Sequence, residues 1–306
     1  MKANKIKEIE EIIQTYNKEN ELANFIKNEL VVSPCFILKK TEESTIFGGL
    51  HVHDLYEMLY VKSGLLSYQI EGVHYELKEG DMILVSPTML HKLDGMKSKN
   101  TERIVINFSE DYARKLSTAH CDILKGFEIT SQRKFHKISF EASLRKTIEK
   151  YFDIMIELQF SKQYGDDLAF NLRFCQAMLM INKEVLNSRD ESNLVVTTNK
   201  VVSEVVEYIN ENFDKNIHLS DIASKLSLSE SRLSHLFKQE TGISIHQFLM
   251  KKRLMHAKEF IRKGEHINII YALVGFNDNT SFFRAFKKEY NITPKKYYLN
   301  YKLSIE

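Results

Sequence analysis

The sequence lacks the features that mark several large classes of protein. No apolar run reaches the roughly 18 residues that a membrane-spanning helix needs. The first 20 residues are charged throughout and contain no apolar stretch of the kind that a signal peptide carries. Phosphate-binding loops, dinucleotide fingerprints and nucleophile elbows are also missing. These absences predict a cytoplasmic protein with no membrane partner, and no common enzyme motif supports catalysis.

Cysteine is scarce, and its three positions form no pattern. Cys35, Cys121 and Cys175 are far apart, odd in number and match no C-x-x-C spacing. A disulfide framework or a thiolate metal site is normally marked by such patterns. We therefore interpret all three as small buried hydrophobic residues.

Charge is distributed unevenly, although the net charge of the 306 residues is only +2. Residues 225–302 hold 15 Lys and Arg against 6 Asp and Glu, a net charge of +9. Residues 1–198 hold 26 against 29, a net charge of −3. This asymmetry is typical of a nucleic-acid-binding module attached to a neutral or acidic domain. A well-solvated helical face is the alternative that charge alone does not exclude.

Apolar spacing divides the chain into five segments and predicts an α+β multidomain protein. A helix-like spacing predicts a helical extension at residues 1–33. Short apolar runs between glycine-containing turns predict a β-barrel of the jelly-roll type at residues 34–140. These runs are Phe36–Lys39, Tyr56–Val61, Leu65–Ile70, His74–Leu77, Met82–Val85 and Arg103–Phe108.

The remaining three segments are predicted to be helical or to link helices. Residues 141–190 are predicted to form two helices that are separated near Tyr164-Gly165-Asp166. Residues 191–200 are predicted to form a polar linker, and residues 201–306 an all-helical domain. On the first of the two helices the apolar positions include Leu144 and Ile148. On the second they are Leu168, Leu172, Cys175, Leu179 and Ile181.

One helix-turn-helix pattern occurs twice in the last third of the chain. Its helices are predicted within residues 219–238 and 267–287, and a helix free of Gly and Pro at 248–261 separates the copies. Leu219, Ile222 and Leu226 correspond to Ile267, Ile270 and Val274 at an offset of 48 residues. Beyond the turn the offset is 49, which pairs Ser229 with Asp278, Leu233 with Phe282, and Phe237 with Phe286. Such a repeat makes DNA the first partner to consider.

The second helix of each copy has an apolar side and an outward side. Ser229 and Asp278 suit the N-cap position, and Phe237 and Phe286 fall on the apolar side. Outward positions that could reach bases or phosphates are Glu230, Ser231, Ser234, His235 and Lys238 in the first copy, and Asn279, Thr280, Phe283, Arg284 and Lys287 in the second. If a rigid helix joins the copies, one chain reads an asymmetric site in successive major grooves.

Residues 219–297 resemble the DNA-binding domain of the AraC/XylS family of bacterial transcription regulators. The resemblance rests on SRLSHLFKQETGIS, RLMHAKEFI and VGFNDNTSFFRAFKKEYNITPKKY. It implies double-stranded promoter DNA and RNA polymerase as partners, and a homodimer formed through the helices at 141–187. Two positions depart from the family pattern: Tyr271 replaces a small residue, and Asn291 replaces the Gly that follows the last recognition helix.

Residues 51–91 resemble the two motifs of the cupin superfamily, in the form found in AraC-type sensor domains. HVHDLYEMLYVKSG gives the spacing H-x-H-x3-E-x6-G with His51, His53 and Glu57, and GDMILVSPTMLH ends at His91. Residues two apart on a strand share a face, so these side chains could project together into the barrel. Three imidazoles and a carboxylate suit Zn, Fe, Mn or Ni. A metal-free effector pocket and a purely structural network are the alternatives, and no cofactor is certain.

The favoured function is a transcription regulator, expected to be an activator, whose barrel binds a small-molecule effector such as a sugar. Unequal binding of the effector to two conformations would control DNA binding. One alternative is a metal-dependent cupin enzyme carrying the same DNA-binding domain. Another is a regulator that responds to no effector.

Overall fold

The computed structural model describes residues 35–41, 51–53, 55–87, 89–161, 163–188, 197–198 and 200–305. The chain divides into two compact units, residues 1–70 with 74–197 and residues 71–73 with 198–306. The predicted extension at 1–33 and most of the predicted linker at 191–200 lie outside the described residues. Among the helices that are described, none is long and apolar enough to cross a membrane.

The first unit is built on two β-sheets. Their strands are β1 (Cys35–Thr41), β2 (Tyr56–Ser63), β3 (Leu65–Ile70), β4 (Val73–Lys78), β5 (Asp81–Val85), β6 (His91–Met96), β7 (Glu102–Phe108), β8 (Lys137–Ser139) and β9 (Thr197–Thr198). One sheet has the order β1-β7-β2-β5-β8 and the other the order β6-β3-β4-β9. Each of the six predicted strands lies within one of these elements. Strand β6 was not predicted, because its sequence, HKLDGM, contains only two apolar side chains, Leu93 and Met96.

The first sheet has an apolar face and a polar face. Directly paired residues of antiparallel strands share a face, and β2 pairs Met58 with Ile106 but Glu57 with Asn107. Met58 and Ile106 belong to the main hydrophobic core, together with residues of the helices. Glu57 accepts a hydrogen bond from the Tyr68 hydroxyl of the second sheet at 2.7 Å. We call the side with Glu57, which is turned toward the second sheet, the inner face. Its residues include Phe36, Leu38, Lys40, Glu57, Leu59, Val61, Asp81, Ile83, Val85, Arg103, Val105 and Asn107.

Four helices cover the apolar face of the first sheet. They are α1 (Glu110–Leu116), α2 (Lys125–Arg133), α3 (Ala142–Leu158) and α4 (Asp166–Asn187). The predicted split is confirmed, since Gly165 takes a left-handed φ of 86° at the start of α4. Helices α1 and α2 were not predicted, because residues 34–140 were interpreted as strands alone. Helix α1 begins at Ser109, whose side chain accepts from the backbone N–H of Tyr112.

Helix α4 carries two apolar faces, although the sequence pattern predicts one. Its buried residues include Phe170, Phe174, Ala177, Met178, Ile181 and Val185. Four leucines lie on the other side and are exposed: Leu168 by 62%, Leu172 by 55%, Leu179 by 42% and Leu186 by 58%. Grouping Ile181 with Leu168, Leu172 and Leu179 was therefore wrong, since Ile181 alone of these is fully buried. On α3, Ile148 is likewise a core residue.

The second unit is helical. Its helices are α5 (Lys200–Asn212), α6 (Leu219–Lys225), α7 (Glu230–Thr241), α8 (Ile245–Arg262), α9 (Ile267–Leu273), α10 (Asn279–Tyr290) and α11 (Pro294–Ile305). Helices α6 and α7 form the first predicted helix-turn-helix, and α9 and α10 the second. The long helix α8 separates them as the sequence predicts. A capping box of Ser244 and Gln247 begins α8.

The predicted N-caps of the second helix in each copy are confirmed, whereas these helices end at Thr241 and Tyr290, beyond the predicted ends at 238 and 287. Ser229 accepts a hydrogen bond from the backbone of Arg232, and Asp278 accepts one from Ser281. Asn291 ends α10 with a left-handed φ of 58°, the conformation for which a Gly would be usual. Tyr271 is half-buried and packs at the edge of the core around Ile270, so the larger side chain is accommodated.

The cysteines do not behave alike. Cys35 is buried, as predicted, whereas Cys121 and Cys175 are only partly buried. All three are free thiols. Burial raises the pKa of the Cys35 thiol far above its usual range, against a smaller opposing effect of a hydrogen bond with Tyr112. The interpretation as buried hydrophobic residues is therefore right for Cys35 and wrong for the other two.

Candidate functional site

The first recognition helix, α7, presents most of its predicted contact residues to solvent. Leu233 and Phe237 are fully buried and fasten the helix to its unit. The opposite side carries the exposed residues Glu230, Ser231, His235 and Lys238, with Ser234 half-buried. A helix fixed from one side and polar on the other can lie in a major groove.

The second recognition helix, α10, has a more basic outward face. Phe282 and Phe286 are fully buried, whereas Thr280, Arg284 and Lys287 are exposed. The remaining two predicted readers, Asn279 and Phe283, are half-buried. The Asn279 Oδ1 atom is buried without a hydrogen-bond partner. Phe283 packs edge-on against Phe282 with ring centroids 5.6 Å apart, so only part of its ring is open to a ligand.

Arg253 on α8 ties the long helix to the segment that precedes the first helix-turn-helix. Its Nε donates to the Phe213 carbonyl at 2.8 Å and its Nη2 to the Lys215 carbonyl at 2.7 Å. Gly275, in the turn of the second helix-turn-helix, lies against the same carbonyl cluster with a φ of +82°. These contacts hold parts of both copies on one rigid helix, which supports a fixed spacing of the two recognition helices.

The predicted histidines converge in the first unit. His51 pairs with His91 in an isolated antiparallel bridge, with both backbone N–H···O distances at 3.0 Å. The ring centroids of His91 lie 4.3 Å from His51 and 4.7 Å from His53. One ring nitrogen from each of the three histidines lies within 4.8 Å of the other two. The Glu57 Oε2 atom is 3.3 Å from His53 Nε2 and 3.9 Å from His91 Nε2.

Backbone carbonyls orient two of these imidazoles. His91 Nδ1 lies 2.8 Å from the Met89 carbonyl and His53 Nδ1 lies 3.1 Å from the Leu55 carbonyl. A carbonyl only accepts, so Nδ1 carries the proton when His91 is neutral, and its Nε2 keeps the lone pair. In His53 both ring nitrogens face acceptors, because Nε2 lies 3.3 Å from the Glu57 carboxylate, so a neutral His53 ring can donate to only one of them. Both Nε2 atoms face Glu57. The Nε2 atom of His91 is buried and makes no hydrogen bond.

Electrostatics favour neutral His91 beside ionised Glu57. Burial lowers the pKa of His91 well below its usual value, and the charges of His51 and His53 lower it further. Burial alone would raise the pKa of Glu57. The hydrogen bond with His53, the charges of His91 and His53 and the Tyr68 hydroxyl outweigh burial and bring that pKa below its usual range. An ionised carboxylate beside the lone pair of His91 Nε2 can bind a cation or accept hydrogen bonds from a ligand.

Tyr68 belongs to this cluster but was not identified from the sequence. It lies on β3 of the second sheet, and its ring stacks near His91 at a centroid distance of 6.2 Å. Burial, followed by the charge of Glu57 and the hydrogen bond to it, raises the pKa of Tyr68 well above its usual value. Its hydroxyl therefore stays protonated and donates. Strand alternation reveals which residues of one strand share a face, but not which residue of another sheet lies opposite.

Two sequence families match separate parts of the chain. One, described as a helix-turn-helix domain, matches residues 222–299, and the other, described as an AraC-like ligand binding domain, matches residues 40–163. The first covers both recognition helices. The second covers the histidine cluster and all of α3.

Several curated transcription regulators are similar to the chain. The HTH-type transcriptional activator RhaS of Mannheimia succiniciproducens is 26% identical over 80% of this chain and 87% of its own length. The transcriptional activator PerA of Escherichia coli is 32% identical over 34% of this chain and 38% of its own length. The activator RhaR of Yersinia pseudotuberculosis is 41% identical over 26% of this chain, and the match spans 28% of its length. The alignments with PerA and RhaR thus span well under half of those proteins.

Among solved structures, ToxT of Vibrio cholerae matches 87% of this chain and 98% of its own, at 16% identity and a TM-score of 0.33. The C-terminal domain of AraT from Geobacillus stearothermophilus matches 32% of this chain and 83% of its own, at 32% identity and a TM-score of 0.31.

Proposed function

Because the chain belongs to the AraC family of DNA-binding transcription regulators, which are not enzymes, we propose that it activates transcription in response to a small-molecule effector. The activating role rests on the relatives RhaS, RhaR and PerA, each described as a transcriptional activator. The effector role rests on the match to an AraC-like ligand binding domain. An activator also needs RNA polymerase as a partner, and the chain is expected to work in the cytoplasm.

The observation that carries this proposal is the pair of recognition helices with buried aromatic anchors and exposed polar faces. Arg284 can donate two hydrogen bonds to guanine in the major groove. Lys287 lies about one turn beyond Arg284, and Lys238 about one turn beyond His235. At these positions a compact ammonium charge suits phosphate. Because α8 joins the two copies, each chain reads two unlike sequence elements in a fixed order.

Replacing Arg284 and Lys287 by Ala separates base reading from phosphate binding. We expect Arg284→Ala to lose preference at one position of the site, at a cost of about 1–3 kcal/mol there. Lys287→Ala should weaken all sequences alike and reduce the slope of log affinity against log salt by roughly one unit. Selection of bound sequences from a random DNA library, followed by titrations at several salt concentrations, measures both effects. Identical behaviour of the two variants would show that the groove assignment is wrong.

A divalent metal ion is the candidate cofactor that the donor atoms of the histidine cluster favour. His51, His53 and His91 offer imidazole nitrogens, Glu57 adds a carboxylate, and the buried His91 Nε2 has no other partner among the described residues. Imidazole with carboxylate suits Zn, Fe, Mn or Ni. These four residues would hold the ion, and its charge would help to bind oxygen atoms of an effector. In the alternative, the same side chains bind the effector directly.

Metal content distinguishes these two forms of the proposal. If a metal is bound, protein purified without a histidine tag should contain about one ion per chain, and His53→Ala and His91→Ala should each lose it. His74→Ala is the matched control, since His74 lies outside the cluster and pairs with Asp94 at 2.6 Å. If the unsubstituted protein and the three variants all contain equally negligible metal, the cluster serves as a metal-free effector pocket.

We further propose a homodimer formed through helix α4. The exposed leucines of this helix form an apolar stripe on the side opposite its buried face. Contiguous exposed apolar surface of this kind marks an interaction site.

A further inference from the structure

Tyr68 connects the second sheet to the histidine cluster through two contacts. Its hydroxyl donates to Glu57 Oε1 at 2.7 Å, and its ring lies nearly parallel to that of His91, at an angle of 12°. Both Tyr68 and Glu57 are buried, so water competes little for this hydrogen bond. A phenol that donates to a buried carboxylate fixes the orientation of that carboxylate.

The hydrogen bond gives the two Glu57 oxygens different partners. Oε1 accepts from Tyr68, whereas Oε2 lies 3.3 Å from His53 Nε2 and 3.9 Å from His91 Nε2. Two donor atoms that are each about 2.0–2.1 Å from one tetrahedral ion lie roughly 3.3–3.4 Å from each other. The separations of Oε2 from the two imidazole nitrogens are close to this value, so Oε2 is the Glu57 oxygen suited to an ion that the histidines share.

The number of Glu57 oxygens that reach an ion matters for the effector. A carboxylate can bind a metal ion through one oxygen or through both. While Tyr68 holds Oε1, only Oε2 is available to the ion. A second carboxylate oxygen would occupy a position at which the effector could otherwise bind.

We propose that Tyr68 is a positioning residue of the metal site, whose hydroxyl holds Glu57 Oε1 so that Glu57 offers the ion one oxygen and leaves a position for the effector. This inference rests on the metal-binding form of the proposed function and adds a residue outside the four candidate ligands. Hydrogen bonds to the ligands of a metal orient them and tune its affinity. Burial and the charge of Glu57 raise the pKa of Tyr68 well above its usual value, so its hydroxyl keeps the proton that it donates.

Cobalt(II) tests this inference, because its visible absorption weakens as the number of atoms bound to the ion increases. Full-length protein, purified without a histidine tag and freed of metal, is titrated with cobalt chloride. Tyr68→Phe should weaken cobalt binding about 10–100-fold, because Glu57 loses the group that orients it. The absorption per bound ion should also fall, since both Glu57 oxygens then become available. A loss of packing alone would leave the absorption per bound ion unchanged.

Tyr60→Phe is the matched control. Tyr60 is also a buried tyrosine, and it donates to a carboxylate, Glu149 Oε1, at 2.6 Å. It lies on β2 with Glu57 but on the opposite face of the sheet. Tyr60→Phe therefore removes the same kind of hydrogen bond and should keep the cobalt affinity and absorption of the unsubstituted protein.

Azide, a small anion that binds open positions on cobalt, adds a measurement on the unsubstituted protein. It should change the absorption of that protein and have little effect on Tyr68→Phe. The inference is overturned if azide leaves the unsubstituted spectrum unchanged, or if Tyr68→Phe and Tyr60→Phe bind cobalt alike. Unsubstituted protein that binds its DNA site but takes up no cobalt would also overturn it, and would leave an effector-responsive activator with a metal-free pocket.

Discussion

Replacing Gly275 by Ala is expected to unfold the second helix-turn-helix at much lower denaturant than the unsubstituted protein needs. Gly275 has a left-handed φ of +82°, and a Cβ there would lie 2.7 Å from the Phe213 carbonyl oxygen and 2.8 Å from that of Asp214. Left-handed backbone costs a non-glycine residue roughly 1–2 kcal/mol. Forcing two backbone oxygens aside adds roughly 1–3 kcal/mol. The sum of about 2–5 kcal/mol is a large part of the 5–15 kcal/mol by which domains are usually stable.

Gly264 provides a matched control for this prediction. It has nearly the same φ, +83°, but a Cβ there would meet no atom within 4 Å. Gly264→Ala should therefore cost only the roughly 1–2 kcal/mol of the left-handed backbone. Denaturant unfolding followed by circular dichroism gives both values, and DNA titration shows whether Gly275→Ala also loses affinity. Equal midpoints for the two variants would contradict the steric argument, because backbone conformation alone would then explain both.

Helical periodicity and capping chemistry predicted the second unit in detail. Ser229 and Asp278 were expected as N-caps, and Phe237 and Phe286 as core residues, because each helix of the repeat has a regular apolar side. The first unit was predicted less completely. Helix α1 and strand β6 are short and lack a clear apolar side, so periodicity gives little signal for them. Their positions depend on packing between segments that are distant in the sequence.

The candidate site in the first unit was predicted only as far as a local motif reaches. His51, His53 and Glu57 were identified because motif spacing and strand alternation act over a few residues. His91, on a strand of the second sheet, was identified because the second cupin motif ends there. Tyr68, by contrast, reaches Glu57 from another sheet without belonging to either motif. That contact leaves no pattern in a single sequence.

The two faces of α4 were confused for a physical reason that bears on dimerisation. Apolar residues on both sides of a helix give the same periodic signal, and only packing shows which side is buried. Ile148, on α3, is a core residue, so a charge placed there would unfold the protein instead of testing a dimer. The exposed leucines Leu168, Leu172, Leu179 and Leu186, with the partly buried Cys175, follow intervals of four, three, four and seven residues, the spacing of a coiled-coil seam.

Introducing charge on this stripe is expected to produce monomers. The stripe runs from residue 168 to residue 186, about 27 Å at 1.5 Å per residue, which is long enough for a seam with α4 of a second copy. Leu172→Glu combined with Leu179→Glu would place like charges and desolvated carboxylates at its centre. Sedimentation should then show half the mass of the unsubstituted protein. Leu299→Glu, at a leucine that is 50% exposed on α11, is the control and should leave the mass unchanged.

The same substitutions should also change DNA binding in a way that depends on the target. A dimer binds two copies of a site with an effective concentration that raises affinity by about 10²–10⁴-fold over one copy. The double variant should lose that gain on DNA with two sites and keep its affinity for DNA with one. A loss on both targets would indicate damage to the fold, since α4 belongs to the first unit and the recognition helices to the second. A dimeric mass with unchanged affinity on both would place the dimer contact elsewhere on the chain.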